Sequence, residues 1–257
     1  MLGAIAGDII GSVFEAKPIK TKEFELFSEQ STFTDDTVLT IAVAEVLLTS
    51  GSYADTYRKY YRSFQDRGYG YGFHRWACSN EAGPYYSFGN GSAMRVSPVG
   101  WAYNSLAAVL AEAERSAVVS HNHEEGIKGA QAVAAAVYLA RTSGSKERIQ
   151  EFIRQEFGYP LNRRLDEIRP HYCFDVSCQG SVPEAITAFL ESDDVEDAIR
   201  NAISLGGDSD TMACIAGAIA EAYYREIPEP IENAVYQYLP AALAQTTLNF
   251  RKKFIDE

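Results

Sequence analysis

The sequence predicts an all-α fold, and two observations carry that prediction. Apolar residues recur at helical spacing through most of the 257 residues, the pattern of helices with one face turned inward. No stretch alternates apolar and polar residues convincingly enough to call a sheet, and Glu23 to Ser28 is the one candidate for a short strand. There is no solenoid-type repeat and no low-complexity segment. A chain of this length builds one substantial core, so a compact single domain is expected over residues 1–257.

In order along the chain, Leu2 to Ala16 reads as a helix with Ile5, Ile9 and Val13 in step and Gly3, Gly7 and Gly11 between them. Glycine weakens a helix, so three in one helix point to close approach by another helix or a ligand. Asp35 to Leu48 carries Val38, Ile41, Glu45 and Leu48 at helical spacing, and Tyr53 to Gln65 is a shorter helix. Arg67 to Gly91 mixes glycines with Tyr69, Tyr71, Phe73, Trp76, Tyr85, Tyr86 and Phe88. That composition fits an ordered, aromatic-lined loop, because linkers are poor in aromatics. Helices return at Ser105 to Val119, Glu124 to Arg141 and Lys146 to Phe157. After a mixed stretch from Pro160 to Gln179 come Val182 to Leu190, Val195 to Ser204 and Asp208 to Tyr224. Ile231 to Phe254 closes the chain with a break near Pro240.

The apolar fraction of 46% and charged fraction of 23% are ordinary for a soluble globular protein. No apolar run reaches the length of a membrane span, Asp8 interrupts the first apolar stretch, and no basic region precedes it. No signal peptide, no anchor and a cytoplasmic location are therefore expected. A net charge of −12 argues against an extended nucleic-acid surface, because phosphates need Lys and Arg to replace their counterions. An acidic protein that binds a phosphorylated small molecule needs metal ions or backbone amides for local positive potential. Cys78, Cys173, Cys178 and Cys214 form no CxxC pair, so reduced thiols are expected and a zinc site has no support.

Two carboxylate motifs stand out. Thr34-Asp35-Asp36-Thr37 and Gly206-Gly207-Asp208-Ser209-Asp210-Thr211 each sit directly before a helix. Either alone reads as a helix N-terminus, with Thr and Asp capping and the acids matching the macrodipole. Together they place two carboxylates and a threonine in each of two turns, and such carboxylates repel unless cations lie between them. An oxygen-only set favours Mg²⁺ or Mn²⁺ over zinc, and two such ions about 4 Å apart can share a carboxylate. Asp8 and Glu15, seven residues apart, fall on one face of the predicted first helix. They are either surface charges or, against Gly7 and Gly11, buried carboxylates in want of a cation.

Two further segments are polar helix entrances. Ser87 to Arg95 is a Gly-rich loop opening a helix, which presents free backbone amides to an anion or is a Gly-Asn-Gly turn with a serine cap. Arg95 at its end is expected to pair with a core carboxylate. Ser120-His121-Asn122-His123 holds two of the four histidines, as a metal-ligating pair or as two exposed imidazoles.

Taken in order, Gly7-Asp8 with Gly11 and Glu15, Thr34 to Thr37, Gly89 to Arg95, Ser120-His121 and Gly207 to Thr211 resemble the ADP-ribosylglycohydrolase family. The resemblance runs from residue 3 to about 225. It implies a compact, orthogonal all-α bundle with two Mg²⁺ or Mn²⁺ ions at the base of a cleft. It implies Thr34, Asp35, Asp36, Asp208, Asp210 and Thr211 as metal ligands. Glu15 resembles the glutamate that sits at the metals and takes part in catalysis, and Glu15 or Asp36 would orient or deprotonate the attacking water. Ser87, Phe88, Gly89, Asn90, Gly91 and Ser92 resemble the diphosphate-contacting segment, and His121 a substrate-contacting histidine. Gly70 with its aromatic neighbours would line the ribose or adenine cleft, and Ser181 would reach the adenosine end.

The reaction implied is hydrolysis at the anomeric carbon of the distal ribose, on an ADP-ribosylated protein or a small ADP-ribosyl conjugate. Two other readings stay open at this level. One is a two-metal phosphohydrolase acting on nucleotides; the other is a non-enzymatic ADP-ribose-binding or structural protein, which intact aspartate pairs and Glu15 disfavour. The segments expected to rim the cleft and choose the acceptor are Tyr69 to Phe88 and Glu15 to Phe33.

Overall fold

A computed structural model describes residues 1–256; the last residue of the expected domain, Glu257, lies outside them. The chain forms α1 (Leu2–Gly11), α2 (Asp35–Thr49), α3 (Tyr53–Ser63), α4 (Tyr71–Cys78), α5 (Gly91–Met94) and α6 (Ser97–Ala102). These are followed by α7 (Leu106–Val118), α8 (Glu124–Ser143), α9 (Lys146–Phe157), α10 (Leu165–Ile168) and α11 (Cys178–Leu190). Then come α12 (Val195–Ile203), α13 (Ser209–Tyr224), α14 (Glu229–Tyr238) and α15 (Ala241–Phe254). Among the described residues there is no strand, and the extended pairing is a single bridge between Gly89 and Ser177. The expected strand at Glu23 to Ser28 is instead part of an irregular connection.

Local chemistry explains where several helices start. The side chains of Ser52, Ser105, Ser145, Ser177 and Asp194 each accept a backbone N–H from the first turn that follows, which is the role short polar side chains play best. Gly144 and Gly158 close α8 and α9 in the left-handed conformation. The cap at Ser177 moves the start of α11 forward from the expected Val182 to Cys178 and leaves Pro183 inside the helix. The Gly- and aromatic-rich stretch is not all loop, because Tyr71–Cys78 folds as α4 with Phe73 and Trp76 turned inward.

The centre of the molecule is the pair α1 and α13, and α13 packs also against α12, α11 and α8. Every residue of α1 is buried, so α1 is enclosed all round rather than along one stripe, as a central helix is, and Asp8 is its one charged residue. Gly7 allows the contact: a Cβ there would overlap the Ala213 carbonyl of α13. Gly11 meets the backbone of Ser209 and Asp210 in the same way. Around this pair one hydrophobic core extends from Met1 to Phe250.

The first helix is shorter than its periodicity suggests. It ends at Gly11, where the Ser12 hydroxyl donates back to Ile9 O at 2.9 Å and Phe14 N donates to Gly11 O at 2.8 Å. Glu15 therefore lies in a bend beyond the helix and not two turns along the face of Asp8. This change of direction carries Glu15 to the helix ends where the carboxylates gather.

Candidate active site

Three chain segments deliver carboxylates to one place. Asp8 comes from the last turn of α1, Asp36 from the first turn of α2 and Asp210 from the first turn of α13; one oxygen from each lies within 4.8 Å of the others. Glu15, Asp208 and Asp210 form a second group by the same measure, so Asp210 belongs to both. Asp8, Asp36, Asp208 and Asp210 are buried, whereas Glu15 is exposed.

Asp8 organises the start of α2. Its carboxylate accepts Thr34 N at 2.9 Å, Thr37 N at 3.0 Å and the Thr34 hydroxyl at 2.7 Å. A long-range side chain thus satisfies donors that a helix start leaves free. Thr34 in turn accepts Asp36 N at 3.2 Å, and the Thr211 hydroxyl donates to Asp36 Oδ2 at 3.3 Å. Asp36 Oδ1 has no partner at all. On the other side, Asn90 Nδ2 donates to Asp208 Oδ2 at 2.7 Å and to Ser181 Oγ at 3.2 Å.

The electrostatics are one-sided. None of the ion pairs among the described residues involves these carboxylates. Burial, reinforced by the neighbouring acids, raises Asp35, Asp36 and Asp210 well above the usual carboxylate range. Burial with the charges of Asp208 and Asp8 raises Glu15 as well. Buried like charges with an orphaned oxygen demand either protons or cations. An all-oxygen, carboxylate-rich set is the donor chemistry of hard divalent ions, so the residues present fit such an ion.

These carboxylates form the floor of a cleft of about 360 Å³, within the range of small-molecule sites. Glu15, Thr34, Asp35, Asp36, Asp208, Asp210 and Thr211 line it, with Gly70, Ser87, Gly89, Asn90, Gly91 and His121 on its walls. Leu39, Phe73, Tyr85, Met94 and Val176 supply apolar wall. Of the segment from Glu15 to Phe33, Glu15 alone reaches the cleft; Lys20 to Glu23 border a separate hollow with Leu165, Asp166 and Arg169.

Three of the expected substrate-binding residues lie outside the cleft wall. Phe88 is exposed and packs edge-on to His123 at 5.4 Å. Ser92 is buried beneath the loop, where its hydroxyl donates to Gly126 O at 2.7 Å. Ser181 donates to Ser177 O at 2.7 Å inside α11 and meets the site through Asn90. Two of the loop amides expected to be free are engaged, Asn90 N with Val176 O at 2.8 Å and Gly89 N with Ser87 Oγ at 3.1 Å.

The two imidazoles differ from both sequence readings. His121 is buried at the cleft wall, and His123 caps α8 by accepting Glu125 N at 3.1 Å. Arg95 pairs with no carboxylate; it lines the cleft and donates to Ser116 O at 3.1 Å and Ser120 Oγ at 2.9 Å. Sequence reasoning also passed over Gly68, Gly72, Leu39, Met94 and Val176 as lining residues. The glycines had a signal in the aromatic run, whereas Val176 reaches the cleft only through the Gly89–Ser177 bridge.

A model of the ADP-ribosylglycohydrolase family matches residues 1–253. The chain belongs to the ADP-ribosylglycohydrolase family. Its curated relatives include the human protein named ADP-ribosylhydrolase ARH3, 28% identical over 93% of this chain and 88% of that protein. The ADP-ribosylarginine hydrolase Tri1 of Pseudomonas putida is 26% identical over 100% of this chain and 78% of its own length. A solved structure titled ADP-ribosylglycohydrolase-related protein complex superposes with a TM-score of 0.69 at 26% identity, covering 97% of this chain and 96% of that one. Membership places this family member among glycohydrolase enzymes with an all-α fold.

Proposed function

We propose that the protein hydrolyses the glycosidic bond between the distal ribose of ADP-ribose and an acceptor, either a protein side chain or a small ADP-ribosyl conjugate. One observation carries this reading. Carboxylates from three separate segments converge, without any paired cation, on the floor of a nucleotide-sized cleft walled by Gly89-Asn90-Gly91 and His121. The names of the two curated relatives support the same bond class.

Thr34, Asp35, Asp36, Asp208, Asp210 and Thr211, joined by Asp8, would hold two divalent cations, Mg²⁺ or Mn²⁺, with Asp210 common to both carboxylate groups. Bound there, the ions would supply Lewis acidity toward water and the ribose hydroxyls. Glu15 then has the role of base. Its carboxylate is exposed to the cleft, and its raised pKa brings it closer to the pH at which proton transfer is efficient. It takes a proton from the attacking water as the bond to the acceptor breaks. Asp36, buried between two threonines, suits a ligand better than a base. The acidic floor favours the positive charge that grows on the sugar in an oxocarbenium-like transition state.

The test is release of free ADP-ribose from peptides ADP-ribosylated on arginine or serine. Release is expected with Mg²⁺ or Mn²⁺ and not with EDTA, and Glu15→Gln should slow kcat by about a hundredfold or more. Full turnover in EDTA, or by the Glu15→Gln variant, would overturn the proposal.

A further inference from the structure

Arg95 is fully buried, yet it forms no ion pair among the described residues. Its guanidinium stacks on Tyr57 at 4.3 Å and donates to Ser116 O and to Ser120 Oγ, while Nε and Nη1 find no partner. A buried cation without a carboxylate is expensive to keep unless its charge or its donors serve something nearby. What lies nearby is Ser120, itself buried in the turn after α7, and beyond Ser120 the ring of His121. Ser120 Oγ stands 2.8 Å from His121 Nδ1.

Proton counting decides the direction of that bond. A serine hydroxyl has one proton to give and lone pairs to accept with. Arg95 Nη2 can only donate, so Ser120 Oγ accepts there. If His121 Nδ1 also donated, Ser120 would hold two donors while its own buried proton had no acceptor. With Ser120 donating to Nδ1 every group is satisfied, as buried polar groups generally are. Nδ1 is then an acceptor, and the ring proton sits on Nε2. That atom faces the Gly-Asn-Gly loop: it is the nearest neighbour of a Cβ built on Gly91, at 3.1 Å, and lies 3.7 Å from one built on Gly89. The Tyr85 ring meets the imidazole at 5.7 Å and limits its rotation.

We propose that Arg95 and Ser120 are positioning residues that fix His121 as its Nε2–H tautomer and present that N–H to an oxygen of the bound ADP-ribosyl group. The ligand rests on the function proposed above; the tautomer does not. Burial first, and the Arg95 charge second, hold His121 well below the usual imidazole range, which keeps the ring an unprotonated donor-acceptor pair near neutrality. An anionic ligand oxygen is thereby met by one directed hydrogen bond, and Arg95, which lines the same cleft, adds its positive field.

The test uses the full chain labelled with ¹⁵N-histidine. Two-bond proton–nitrogen spectra at neutral pH, with the His121 signals assigned by their loss in His121→Asn, should show a protonated Nε2 and a bare Nδ1. Ser120→Ala should abolish this single-tautomer signature and weaken ADP-ribose binding by about tenfold, the worth of one well-placed hydrogen bond. Ser120→Thr, which keeps the hydroxyl, should restore both. A proton on Nδ1 in the unaltered protein, or an unchanged tautomer in Ser120→Ala, would overturn the proposal. If the unaltered protein shows the expected tautomer but does not bind ADP-ribose, the positioning pair stands and the proposed function falls.

Discussion

Asn90 joins the two halves of the site, since its one side chain links the Gly-rich loop to Asp208 and to Ser181. Removing it takes from Asp208 the side-chain amide that donates to its Oδ2. Partners that orient a ligating carboxylate typically account for about 10–100-fold in metal affinity. Asn90→Ala should therefore weaken Mn²⁺ binding by about that factor in a calorimetric titration, and an unchanged affinity would refute the link. Asp210→Asn should do more, because Asp210 serves both carboxylate groups; the thermal shift produced by Mn²⁺ should vanish. At this scale the two aspartate motifs were legible, because closely spaced carboxylates carry their own electrostatic argument. The occupancy of Asp8 was not, since its three donors come from Thr34 and Thr37, more than twenty residues away. Nor could the motif say which of Ser87 to Ser92 face the cleft. Ser87, Gly89, Asn90 and Gly91 do and Phe88 and Ser92 do not, because the loop turns into α5 at Gly91 and its sequence carries no period that sorts the faces.

The helices position the chemistry through their ends. Asp8, Asp36 and Asp210 all lie in terminal turns, and the α1–α13 contact holds two of them in register. Gly7→Ala would drive a methyl into the Ala213 carbonyl. Overpacking of this kind costs about 1–3 kcal/mol, and more where backbone must move. A lower denaturation midpoint together with a reduced Mn²⁺ thermal shift is expected; a variant of unaltered stability would refute the close approach. The three glycines announced this contact in the sequence, but not its partner helix. The end of α1 was misjudged because Val13 continues the apolar period past Gly11. What stops the helix is tertiary: Gly11 abuts the Asp210 backbone, and the chain must turn there. That turn, invisible to periodicity, is what brings Glu15 to Asp208.

The whole molecule concentrates a net charge of −12 partly into one buried acidic knot. In the metal-free protein burial first, and neighbouring acids such as Asp8 and Asp208 second, raise the carboxyls of Asp35, Asp36 and Asp210. A raised folded-state pKa means that these groups favour the fold while protonated. Their contribution is present below the ordinary carboxylate value and is lost as pH rises through the raised one. Cations compete with those protons, so their stabilising effect should grow in the same direction. The Mg²⁺- or Mn²⁺-induced rise in Tm should be larger at about pH 8 than at about pH 5.5; the reverse order would refute a carboxylate site. The all-α class and the order of the long helices were readable from spacing alone. The short helices α4, α5, α6 and α10 were not, because four to eight residues give periodicity too little length to register.

The central claim is about which bond breaks, and product identity decides it. An ADP-ribosylated peptide incubated with the protein and Mg²⁺ or Mn²⁺, then resolved by mass spectrometry, should give intact ADP-ribose and the unmodified acceptor in equal amounts. Release of AMP or inorganic phosphate, with a ribose-containing remnant left on the peptide, would contradict the account and assign the carboxylate cleft to phosphate chemistry instead.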